Sequence, residues 1–191
     1  MALIPPTYLT ANTMNLSTQS KKIPLRQLII FALLGTIMFI SKILMEALPN
    51  VHLLGALTIT YTLVYRWRAL IPIYVYVFLN GLFAGFDPWW IPYLYIWTVL
   101  WAVTMCLPKN MPRAAAIVVY SVVCGLHGFL YGVLYAPVQA LFYGFDFPKT
   151  VAWIVAGLPF DILHGVGNII FGCFIYRLAD LMKKMMKKVL G

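Results

Sequence analysis

The chain is predicted to be an all-α integral membrane protein of six transmembrane helices with both termini in the cytoplasm. Three observations carry this prediction. Of its 191 residues, 63% are hydrophobic and 10% charged, whereas soluble domains are about 45–50% apolar and about 25% charged. Mean hydropathy is +0.89, and apolar runs near the length of about 20 residues that spans a bilayer recur along the chain. The cations gather in alternate connections between those runs.

Taken in order, residues 1–24 read as a flexible tail; residues 1–20, rich in Thr, Asn and Ser, contain no basic region followed by an apolar one, so no cleavable signal peptide is expected. The first helix is predicted over 25–47, behind Lys21, Lys22 and Arg26. The second, over 52–65, is short enough to begin within the preceding loop, and Arg66 and Arg68 follow it. The third covers 69–86 and the fourth 90–107, with Lys109 and Arg113 after the fourth. The fifth is long, over 114–143, and Pro137 is expected to bend or end its regular part. Residues 149–157 read as a lead-in before Pro159, and the sixth helix runs over 158–178. The membrane domain is thus 25–180, and 181–191 is a basic cytoplasmic tail.

Twelve of the fourteen Lys and Arg fall on one side of this arrangement. Only Lys149 lies in an opposite loop, and Lys42 lies within the first helix. The positive-inside rule places that side in the cytoplasm. The C-terminal lysine pairs also suit anionic lipid headgroups. The net charge of +9 therefore belongs to helix ends and points away from nucleic acid. Cys106, Cys124 and Cys173 are isolated in apolar surroundings, without the spacing of a disulfide framework or a zinc site. No metal or other cofactor is expected.

A short internal repeat links the two halves. Asn80-Gly-Leu-Phe-Ala-Gly-Phe-Asp87 matches Gln139-Ala-Leu-Phe-Tyr-Gly-Phe-Asp146, and both end an outward-going helix. Two readings stand: a duplicated unit with Asn80 and Gln139 equivalent near an outer mouth, or shared helix-end chemistry.

Candidate site residues come from polar groups inside apolar runs. Asp161, His164 and Asn168 have the spacing i, i+3, i+7 and fall on one stripe of a helix. Ionisable groups in a bilayer are costly and normally face a protein interior or a watery cavity. The stripe can contact a ligand, or Asp161 and His164 can fasten the helix to a neighbour. Tyr93, Trp97 and Trp101 share a face of the fourth helix with Trp90. Trp97 and Trp101 are too deep for an interfacial belt, so they pack between helices or line a cavity. On the fifth helix His127, Tyr131 and Tyr135 lie near one face, and Gly128 and Gly132 form a close-packing step. Lys42 and Glu46 can neutralise each other at i, i+4. The short outer loop from Pro49 to His52 can cap a cavity.

Six helices, cytoplasmic termini and the segment Phe160-Asp-Ile-Leu-His-Gly-Val-Gly-Asn168 resemble the substrate-binding S component of an energy-coupling factor (ECF) transporter. The resemblance covers roughly residues 25–180. It implies a multi-pass protein of the bacterial plasma membrane that binds a vitamin or precursor in an outward-facing cavity. It implies partners as well: a transmembrane coupling subunit and two ATPase subunits. Docking to the coupling subunit is implied through small residues of the first helix, here Ala32, Gly35 and Thr36. The chain itself is not expected to be an enzyme, since it contains no phosphate-binding GxxxxGK[ST].

Two rivals remain at this level. One is an intramembrane enzyme using Asp161 and His164 as acid and base, although HExxH and GxSxG are absent and no second carboxylate shares that face. The other is a stand-alone proton-coupled transporter. The predicted outer half holds Glu46, Asp87, Asp146 and Asp161 against Lys42 and Lys149. That balance favours a neutral or cationic ligand, so among the substrates that the resemblance implies, cobalamin, riboflavin, thiamine or pyridoxine relatives rank above folate, pantothenate and biotin.

Overall fold

A computed structural model describes residues 23–47 and 51–190. The predicted tail, apart from Ile23 and Pro24, lies outside the described residues, as do Pro49 and Asn50 of the outer loop. Among the described residues there is no strand. The helices are α1 (Leu25–Leu44), α2 (Leu54–Tyr65), α3 (Leu70–Ala84), α4 (Tyr93–Cys106), α5 (Arg113–Phe129), α6 (Tyr131–Tyr143) and α7 (Phe147–Leu190). They group into five stretches long and apolar enough to cross a membrane: Leu25–Leu44, Leu54–Ala84, Pro88–Cys106, Arg113–Tyr143 and Phe147–Lys188.

The second stretch reverses direction in a single turn of 3₁₀ helix over Arg66–Ala69, where Arg66 has φ 55°. The contacts on α4 show the reversal. His52, before α2, and Tyr76, in α3, both lie beside Trp97, with ring centroids 6.2 and 6.0 Å away. Arg66, between them, donates from Nη2 to Met105 O at the far end of α4, at 3.1 Å. Residues 54–60 of α2 are all buried, as expected of a helix apolar on every side. Around it, Phe31, Met38, Tyr61, Ile73, Tyr76 and Trp97 form one core cluster, and Ile59, Leu100, Cys124 and Ile175 form a second. Large apolar side chains such as Leu33, Phe78, Leu141, Ile170 and Phe174 lie on the outside, where lipid rather than water is their compatible solvent.

Two predicted elements are corrected. The predicted fifth helix is broken at Leu130, not at Pro137, which sits inside α6. The predicted lead-in, sixth helix and basic tail are one helix, α7, of 44 residues, about 66 Å long at 1.5 Å per residue. Asp146 starts it: its Oδ1 accepts the Lys149 N–H at 2.9 Å, satisfying one of the free donors of the first turn. Pro148 falls in that turn, where it removes no helical hydrogen bond. Leu178, Met182 and Met186 carry the helix onward by packing into the first core cluster, and Asp180 and Lys184 pair at 2.8 Å on the outer side.

The repeat reads as shared helix-end chemistry. In both octets a glycine with positive φ ends the helix, Gly85 at 94° and Gly144 at 65°, a backbone region that costs glycine little. An aspartate then precedes the next helical turn, Asp87 before Pro88–Trp90 and Asp146 before α7.

The α5–α7 contact is the most extensive in the molecule, and small residues make it possible. A Cβ on Gly165 would come within 2.4 Å of Phe129, and one on Gly172 within 2.5 Å of Ser121 Cα. The predicted close-packing step is thus real, with Gly128 against Gly165. Gly35 likewise lets α1 approach α3, since a Cβ there would lie 2.6 Å from Val75 Cβ.

Candidate functional site: a buried aromatic and histidine cluster

All three histidines of the chain meet in one place. The His52 and His164 ring centroids are 4.5 Å apart, and His127 lies 5.6 Å from Trp97. Tyr131 stands between these groups, 4.8 Å from His164 and 6.2 Å from both His127 and Trp97. Tyr93 closes the ring of aromatics 6.1 Å from Trp97. These residues come from the α2 lead-in, α4, α5, α6 and α7, so only the assembled fold creates the cluster. It lies by the C-terminal end of α1 and the start of α6, away from the bowl that Arg66, Arg68, Lys183, Lys184 and Lys187 border.

A cavity of about 330 Å³ opens on this cluster, lined by Tyr93, Tyr131, Tyr135, His52 and His164, with Lys42 and Glu46 at its border. Lys42 and Glu46 do not pair, as the ion pair found among the described residues is Lys184–Asp180. Trp97 is fully buried behind the tyrosines. Several buried polar atoms here have no partner among the described residues: His52 Nδ1 and His164 Nε2 on the cavity lining, and Tyr76 Oη, Trp97 Nε1, His127 Nδ1 and both amide atoms of Asn80 on residues outside it. Buried polar groups are normally hydrogen-bonded, so such a concentration marks a place suited to a polar solute or water. Asn80 is one helical turn beyond Tyr76 on the same face of α3.

The predicted stripe on α7 divides into three roles. His164 lines the cavity. Asp161 does not: both its oxygens accept the N–H of Gly132 at 3.1 Å. In an unbroken helix that N–H would donate to residue 128. Its diversion to Asp161 interrupts the ladder at the α5–α6 break, a recognised cause of a kink. Gly132 has to lack a side chain, because a Cβ would lie 2.4 Å from Asp161 Oδ2. Asn168 is wedged between α2, α5 and α7. Its Nδ2 donates to Cys124 O at 3.1 Å, beside Gly55 and Gly128, while its Oδ1 has no partner among the described residues.

His127 is part packing, part site. Its Nε2 lies 3.2 Å from Ile96 O; a carbonyl only accepts, so Nε2 carries the proton and Nδ1 is left as a buried acceptor. Trp101 belongs elsewhere. Its Nε1 donates to Arg66 O at 3.1 Å, which ties α4 to the α2–α3 turn, and the reading of Trp101 as a cavity wall is corrected. Gln139 is half-buried on α6 and does not line the cavity. On α1, Ala32 is exposed and Thr36 half-buried, whereas Gly35 is consumed by α3 and is unavailable to a partner. Tyr135, grouped from the sequence with His127 and Tyr131, does line the cavity; His52, read only as part of a capping loop, lines it too, and Tyr76 enters the cluster without having been singled out. The usable signal for His52 was that it is one of three histidines in a chain with few ionisable groups. No group of three or more His, Cys, Asp or Glu side chains among the described residues is arranged to hold a metal ion.

No family model, curated protein or solved structure matches the chain.

Proposed function

We propose that the chain is the membrane-embedded binding subunit for uptake of a vitamin or related micronutrient, energised by partner ATPases in the manner of an ECF transporter. One observation supports this most: a cavity walled by aromatic rings, on whose lining the ring atoms His52 Nδ1 and His164 Nε2 are buried without a partner among the described residues. That is the usual makeup of a small-molecule site, and 330 Å³ is at the low end of the usual range of about 300–1,000 Å³. The size favours ligands of one to three rings, such as riboflavin, thiamine or pyridoxine relatives, over the corrin macrocycle of cobalamin. Lys42 and Glu46 offset each other in sign, which supports a ligand of low net charge.

In this reading the bundle makes six crossings, with α2 and α3 crossing separately, α5–α6 together and α7 alone. The start of α1 and the end of α7 share the cation-rich end, because Gln27 accepts from Arg68 and Lys187 borders the same bowl. By the positive-inside rule that end is cytoplasmic and the cavity faces outward.

The enzyme reading has less in its favour. Asp161 is occupied by Gly132, and His164 packs against His52 and Tyr131 rather than against a carboxylate. Co-purification with ATPase subunits, followed by uptake in vesicles, separates the transport readings. ATP-dependent uptake of a ligand that binds the isolated chain is expected. Uptake driven by a pH gradient without ATPase subunits would instead establish the proton-coupled rival.

A further inference from the structure

At the cation-rich end a bowl of about 740 Å³ opens between the α2–α3 turn and α7, bordered by Arg66, Arg68, Lys183 and Lys187. Part of this charge is engaged: Arg66 Nη2 donates to Met105 O at 3.1 Å, Arg68 Nη1 donates to Gln27 Oε1 at 2.8 Å, and Lys184 pairs with Asp180, a carboxylate that also lines the bowl. Each guanidinium keeps further N–H groups, and Lys183 and Lys187 form no ion pair among the described residues. Directly beside the bowl, and sharing Tyr65 and Met186 with it, runs an apolar groove of about 370 Å³. Leu34 and Ile37 of α1 form one wall, Met182 of α7 the other, and Leu57 and Tyr61 of α2 the floor. Trp67, 58% exposed, stands at the rim of the bowl, the depth at which tryptophan anchors membrane proteins to the headgroup layer.

We infer that bowl and groove together seat one anionic phospholipid, its phosphate among the cations and an acyl chain along the groove. Charge complementarity selects the headgroup: basic pockets between helices on the cytoplasmic side attract anionic lipids. The groove selects the chain, because it is apolar and its methionines are flexible enough to conform to an alkyl tail. Neither half suffices alone, and a phospholipid carries both chemistries side by side, as the adjoining bowl and groove do. The groove is about 150° around α1 from Ala32 and Thr36, so it is not the face assigned to the coupling subunit. The inference rests on membrane embedding and not on the transport reading.

Native mass spectrometry of the full chain, equilibrated with phosphatidylglycerol and phosphatidylcholine of matched chains, tests it. Retention of phosphatidylglycerol is expected to exceed that of phosphatidylcholine about tenfold. The double variant Lys183→Gln/Lys187→Gln should abolish the preference. Ile37→Trp, which fills the groove from an exposed position, should reduce retention of both lipids. Met185→Trp, at a second exposed groove position, takes its place if thermal unfolding shows that Ile37→Trp has lost its fold. Glycerol 3-phosphate, a headgroup without chains, should fail to compete. Equal retention of the two lipids, no change in either kind of variant, or competition by glycerol 3-phosphate would each overturn the proposal.

Discussion

The N–H of Gly132 donates to both carboxylate oxygens of Asp161. A side chain on α7 thereby takes a hydrogen bond from the backbone of the α5–α6 stretch, breaks that stretch at Leu130 and fixes the start of α6. The consequence reaches the cavity, because Tyr131 is the first residue of α6 and stands beside Gly132.

Asp161→Ala should therefore act as a stability mutant. It leaves a buried N–H without its acceptor, at a cost of about 1–3 kcal/mol. Gly132→Ala should be at least as damaging, since its Cβ would meet Asp161 at 2.4 Å. Denaturant or thermal unfolding of the purified variants measures this. Intact stability in both would mean the carboxylate does not hold the break.

His164→Ala and Tyr131→Ala should act on binding. Both residues line the cavity, and removing one hydrogen-bonding partner in a buried site costs about 1–3 kcal/mol, or roughly 5- to 150-fold in affinity. Gln139→Ala, outside the cavity, should bind as the parent does. The comparison is made by titration of the folded fraction of each variant. Equal affinities across the three would move the ligand away from this cluster.

Trp97 and Trp101 should separate in fluorescence. Trp97 touches the rings that line the cavity, while Trp101 is bonded to Arg66 O. The ligand-induced emission change should vanish in Trp97→Phe and persist in Trp101→Phe. The reverse result would place the ligand at the cation-rich end.

These residues also show what was legible before the fold was known. Helical periodicity put His164 on an inward stripe and Trp97 inside the bundle, because both follow from spacing within one helix. It could not assign Asp161, whose partner lies 29 positions away on a different helix. The break at Leu130 was hidden for the same reason: nothing local demands it, while Pro137, the local candidate, is accommodated within α6. The C-terminal lysines suggested a tail, yet Leu178, Met182 and Met186 beneath them keep an apolar stripe that continues α7. His52 reached the site through long-range packing on His164 and Trp97, which no sequence window contains.

Ala32→Trp should uncouple transport from binding. Ala32 is exposed on α1 beside half-buried Thr36, and small residues let helices approach in lipid. Uptake with the assembled complex in vesicles should be lost while the isolated subunit keeps its affinity. Gly35→Ala should instead lower stability, because Gly35 packs on Val75. Normal uptake by Ala32→Trp would exclude this face as the docking surface.

The most direct measurement is a tryptophan-fluorescence titration of the purified full chain with riboflavin, thiamine, pyridoxine, cobalamin, folate, pantothenate and biotin, run in parallel on Tyr131→Ala. Saturable quenching by at least one of the smaller, weakly charged compounds is expected. Tyr131→Ala should weaken that affinity about tenfold or more, in line with the loss of an aromatic wall and a buried hydroxyl. No saturable response to any of these compounds in the parent chain, or an affinity untouched by Tyr131→Ala, would contradict a vitamin-binding cavity at this cluster.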